Sequence, residues 1–177
     1  MAEAIRAQEY LANYTQTLLR QTARAVEDLD EDEVHFRPGE HCNSIGFDAW
    51  HIARTADNLI FFAFEREQPV WLQQGLDQAW NLPKADQGTG MAPEDAYALR
   101  FPTGDVLAKY VADVSAAIVP RIEAMSDEYL QMTTTIRPQG ELARWEIIGQ
   151  VVVNHGNNHV GQLNLARTIL GREGLGI

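Results

Sequence analysis

Four long segments of this chain place apolar residues at three- and four-residue steps, which restricts the fold to packed helices more than any other feature does. The first predicted helix covers about residues 2–29, with Ala4, Ala7, Leu11, Tyr14, Leu18, Ala25 and Leu29 in one stripe. Ser44 is a suitable N-cap for the second, which runs to about Glu65. Phe47, His51, Thr55, Asn58 and Phe62 share one side of it, and Ile52, Ala56, Leu59 and Ala63 an adjacent side, so this helix belongs in the interior.

Thr103 is the expected N-cap of the third helix, which buries Leu107, Val111, Val114, Ile118 and Met125. Pro120 falls inside that pattern and should kink the helix or end it early. The fourth helix is expected from near Glu141 to Gly171, a C-terminal glycine. Between the second and third, residues 68–102 carry Pro69, Pro83, Pro93 and Pro102, which forbid a long helix and leave a lid or an interface as the use of such a link. The T-T-T-I run after the third helix is compatible with a short extended piece and is left unassigned. The reading is all-α: one domain over residues 1–177, a four-helix bundle with a long irregular crossover between helices 2 and 3.

Composition narrows the function. A formal charge of −11 repels phosphate backbones and anionic headgroups, which argues against nucleic-acid and membrane-surface partners. Cys42 is the single cysteine, so no internal disulfide or C-x-x-C site exists. The N-terminus lacks a signal-peptide core and no run of 18 apolar residues occurs, so a cytoplasmic protein is expected.

The chemistry sits in the histidines. His155 and His159 form H-G-N-N-H in the fourth helix, and residues four apart stack on one face, about 5–6 Å apart at Cβ. Two such imidazoles can converge on one ion, but Gly156 stands where an H-E-x-x-H protease carries its glutamate base, so that reading is rejected. His51, a lone polar ring among apolar groups in the second helix, is the best third ligand. Three neutral imidazoles from two facing helices leave coordination positions open to water or substrate, and they suit zinc, nickel, copper or iron.

The run S-I-G-F-D-A-W-H-I-A-R-T-A-D-N at residues 44–58, followed by N-H-G-N-N-H-V-G-Q-L at residues 154–163, resembles the DinB-like superfamily of four-helix-bundle metalloproteins. Thiol-dependent transferases and maleylpyruvate isomerases share that fold. The resemblance places the family's metal ligands on His51, His155 and His159, with nickel or zinc as the usual occupant. It also implies a homodimer, and a transferase that activates a low-molecular-weight thiol on the metal for attack on an electrophilic small molecule. A hydrolase using metal-bound hydroxide and a non-catalytic metal-binding stress-response protein are the alternatives.

Asn58, Gln162 and His41 are candidate pocket-lining residues, and no side chain is assigned as general base. Asp48 and Arg54 read as surface ion-pairing groups, with ligand orientation as the alternative. His35 reads as a solvated loop histidine, and Trp71 and Trp80 as cover for the core or a dimer interface.

Overall fold

The computed structural model describes residues 6–176. About 65% of the chain is helical and the sheet is a single two-stranded hairpin, so the fold is all-α. The first long helix, α1, spans Ala7–Val26; its expected residues 2–5 lie outside the described ones. A short α2 (Glu31–Val34) follows, capped reciprocally by Asp30 and Glu33: each carboxylate accepts from the other's backbone N–H. The second long helix, α3 (Ile45–Asp57), starts where the Ser44 hydroxyl accepts from the Phe47 N–H, and it continues through a wide π-helical stretch over Asn58–Ala63.

The link between the second and third long helices carries three short helices between its irregular stretches: α4 (Val70–Gln73), α5 (Leu76–Ala79) and α6 (Pro93–Ala98). The third long helix, α7, spans Gly104–Glu123. Pro120 does not end it early. An internal proline forfeits one backbone hydrogen bond and costs about 3 kcal/mol, but Ile118, Val119 and Ile122 around it are buried, which offsets that cost.

After α8 (Asp127–Gln131), the T-T-T-I run forms strand β1 (Thr133–Ile136), paired antiparallel with β2 (Gly140–Ala143), Thr133 opposite Ala143. Glu141 therefore lies in a strand, and the fourth helix begins at Arg144. It runs as α9 (Arg144–Glu146), a π-helical stretch over Ile147–Asn154, and α10 (His155–Leu170). Gly171 closes it at φ 92°, with the Arg172 N–H donating to the Arg167 carbonyl.

The four long helices close a ring in which α1 packs on α7, α7 on α3, α3 on α10 and α10 on α1. Helices α3 and α10 are thus neighbours, although about a hundred residues separate them. Every residue of α3 is buried, as expected of an interior helix. Among the described residues no helix is long and apolar enough to cross a membrane.

Short helix α4 is pinned to the core. Its Trp71 is fully buried against Trp50, Trp80 and Tyr110, at ring separations of 6.3, 5.3 and 5.4 Å, so Trp71 belongs to the core and the half-buried Trp80 packs against it. The fully buried Asp57 carboxylate accepts from the Val70 and Trp71 N–H groups at 2.8 and 2.9 Å and from the Tyr110 hydroxyl at 3.1 Å. Arg54 approaches it at 3.8 Å and is 1% exposed, so Arg54 is a buried ion-pairing group and not the surface residue expected of it. Burial raises the Asp57 carboxyl above its usual range, against the pull of those donors.

Candidate metal centre

His51 lies in the middle of α3, stacked 5.9 Å from Phe47 and 4% exposed. At the start of α10 and one turn further on, His155 and His159 face it across the groove between the two helices. The three ring centres are 4.7–5.1 Å apart and the rings stand nearly edge-on to one another, at 73–86°. Their ligating nitrogens all fall within 4.8 Å. The Nε2 atoms of His155 and His159 are 3.2 Å apart, as for two neighbouring ligands on one ion with bonds of about 2.0–2.1 Å.

Two of the rings are oriented from behind. His51 Nδ1 donates to the Gln87 carbonyl at 2.5 Å, because a carbonyl can only accept. His159 Nδ1 donates to Asp48 Oδ1 at 3.1 Å. These bonds place the hydrogens of His51 and His159 on Nδ1 and turn their Nε2 lone pairs toward the cluster, where His155 Nε2 lies 3.2 Å from that of His159. Such a cluster is unfavourable unless a cation sits among it, so the donor set fits a divalent metal.

Asp48 is 5% exposed and also accepts from Asn43 Nδ2 at 3.1 Å. It is therefore a buried group that orients His159, and the surface ion pair expected of it is not formed. Gly156, between the two α10 histidines, faces the other way: a Cβ there would lie 2.6 Å from Leu18 Cδ2 on α1. The position that carries a glutamate in an H-E-x-x-H enzyme is here spent on helix packing.

Burial lowers the His51 pKa to about 4, with repulsion from His159 and His155 assisting, and it lowers His155 as well. The sign of the resulting pH dependence is set. In the metal-free protein the unfolded chain takes up a proton near 6.5 that folded His51 refuses until about 4, so stability is complete above 6.5 and falls as pH drops through that window. A depression of that size corresponds to about 3 kcal/mol. Thermal melts of chelator-treated protein at pH 7 and pH 4.5 should therefore differ, and the His51→Gln protein should show a difference smaller by about 6–12 °C. An equal acid shift in both proteins would exclude His51 as its source.

A cavity of about 400 Å³ opens over the three rings. Residues 87–90 of the crossover form part of its wall, and the second long helix grips the chain at residues 86 and 87 three times. His51 holds the Gln87 carbonyl, Asn58 Nδ2 donates to Gln87 Oε1 at 2.9 Å, and Arg54 Nη2 donates to the Asp86 carbonyl at 3.3 Å. The remaining candidates distribute unevenly. His41 is exposed and lines the cavity. Asn58 and Gln162 are not among its lining residues; Asn58 acts through Gln87, and Gln162 is exposed beside a smaller hollow that also holds Cys42. His35, read as solvated, ties two segments together, its Nδ1 donating to the Glu31 carbonyl and its Nε2 accepting from the Phe101 N–H.

Sequence reasoning missed Gln87, which acts through its backbone carbonyl and so leaves no side-chain signal. It also missed Arg137 and Tyr97, which line the cavity from the hairpin turn and from α6.

A sequence model described as the DinB superfamily matches residues 14–163. The fold is similar to the crystal structure of a conserved protein from Enterococcus faecalis, with a TM-score of 0.80 at 19% identity over 96% of this chain and 100% of that one. At that identity the likeness concerns the fold alone. Among curated proteins, none matches the chain significantly.

Proposed function

The chain belongs to the DinB superfamily, and from that premise we propose a metal-dependent transferase that joins a low-molecular-weight thiol to an electrophilic small molecule. One observation carries the reading: three convergent imidazoles lie at the floor of an open cavity of about 400 Å³, a size suited to a small ligand. Aliphatic side chains filling that space would have left only a structural role for a metal.

His51, His155 and His159 would hold the ion, zinc or nickel, with the Gln87 carbonyl and Asp48 keeping His51 and His159 aimed. When bound, a divalent ion supplies a Lewis acid that brings the pKa of a coordinated thiol toward neutrality. Phe47, Leu59, Ile136 and Val151 give the cavity an apolar patch against which an electrophile can lie beside the rings. The lining holds no Asp or Glu, and His41 is its one histidine outside the cluster of three, so thiol dependence is what separates this reading from a hydrolase.

Zinc- or nickel-loaded protein should consume an activated alkene or halide only when a thiol is present, and chelation should abolish the activity. Turnover without thiol would transfer the assignment to a hydrolase. A loaded protein inert to both classes would leave a metal-binding protein without catalysis.

A further inference from the structure

We infer that the cavity over the histidines selects ligands bearing a carboxylate, which Arg137 receives; this rests on reading that cavity as the substrate chamber. No residue lining it is Asp or Glu, in a chain where 25 of 177 residues are acidic. The nearest carboxylates are engaged elsewhere. Asp48 lies behind the lining and is held by Asn43 and His159, while Asp86 faces an adjoining cavity and accepts from the Gly88 N–H at 2.7 Å.

Arg137 stands in the turn between β1 and β2 and lines both the histidine cavity and the adjoining one. Its guanidinium makes no hydrogen bond or ion pair with the described residues. Several arginines are committed elsewhere: Arg144 to the Phe64 carbonyl and Glu65, Arg121 to Glu67, Arg167 to Asp28, Arg172 to Glu33. Arg37 and Arg100 donate to backbone carbonyls. Arg20, Arg24 and Arg66 make no such bond either, but among the described arginines Arg137 alone lines the histidine cavity, from an exposed turn.

A net charge of −11 repels anions from the surface as a whole, so an anionic ligand needs a local cation without competing acids, and the cavity provides one. The guanidinium fork matches a carboxylate with two parallel hydrogen bonds. The lining between these ends is mixed, with Leu59, Ile136 and Val151 beside Thr55, Gln87 and Gln139. The fitting ligand therefore has its reactive atom at the histidines, a carboxylate at Arg137, and a body that can lie against the apolar part of that lining. That carboxylate can belong to the electrophile or to the thiol.

The test uses the full chain without metal, so that no probe gains from coordination, and follows the histidine ring signals by NMR. Two probe pairs are titrated: 3-phenylpropanoate against 3-phenylpropanamide, and 3-mercaptopropanoate against 2-mercaptoethanol. In at least one pair the carboxylate should bind about tenfold tighter or more, Arg137→Gln should erase that preference, and Arg137→Lys should keep part of it. A preference confined to the phenyl pair assigns the carboxylate to the electrophile, and one confined to the mercapto pair assigns it to the thiol. Equal binding within both pairs, binding of no probe, or a preference that survives Arg137→Gln overturns the inference. Zinc content of the Arg137→Gln protein should equal the wild type's. Loss of the proposed reaction is read separately, from metal content and thiol conjugation, and leaves this result standing.

Discussion

Wild-type protein incubated with zinc or nickel and then desalted should carry close to one metal per chain, and the His155→Ala protein should carry none. His155 is half-buried at the cavity and its ring packs on His51 and His159. Alanine is the better helix former, so the variant should keep its helical circular dichroism. The metal is a different matter. A structural zinc site is worth about 10–16 kcal/mol over its full ligand set, so each ligand contributes roughly 3 kcal/mol, about a hundredfold in affinity. A site with only three protein ligands cannot absorb that loss and survive desalting. The His41→Ala protein is the matched control: it removes a cavity histidine outside the cluster of three and should bind metal as the wild type does. Wild-type protein that stays metal-free after loading would reduce the three histidines to polar groups of the bundle interior, and the proposed reaction would lose its basis.

The parts of this centre that sequence shows are those set by helical period. His155 and His159 are four apart in one helix, and His51 interrupts an apolar face, so their convergence follows once α3 and α10 are neighbours. The parts it hides depend on chain returning from far away or on backbone atoms. Asp48 meets His159 across 111 residues, and an acid at the first turn of a helix reads equally well as a favourable charge near the helix N-terminus. Gln87 contributes a carbonyl, which every residue has. The two π-helical stretches leave no compositional mark, yet the second leads directly into His155 and sets which way α10 presents its histidines. The hairpin was open to recognition. Three consecutive threonines are β-branched and favour strand, but a four-residue strand competes poorly with helical pattern on either side.

Asp57→Ala should cost about 3–5 kcal/mol, the usual consequence of removing one partner from a buried ion pair, and lower the melting temperature by about 10–15 °C. The carboxylate is fully buried and serves four groups at once. Without it the Val70 and Trp71 N–H groups at the start of α4 lose their acceptor, and so does the Tyr110 hydroxyl. Arg54 is left charged and 1% exposed, with Nε and Nη1 already lacking hydrogen-bond partners. Asp57→Asn should be nearly as damaging: it keeps one acceptor oxygen but turns an amide toward donors and leaves the guanidinium unpaired. Arg54→Met combined with Asp57→Ala should recover part of the loss, because no charge is then stranded, but not all of it, because the α4 donors remain unmet. Arg54 also holds the Asp86 carbonyl next to the Gln87 carbonyl that orients His51. The damage should therefore reach the metal: every Asp57 variant that folds should still bind one ion per chain, with affinity weakened by about tenfold. Unchanged metal affinity in a clearly destabilised Asp57 variant would show that the anchor of α4 and the wall of the cavity are mechanically independent.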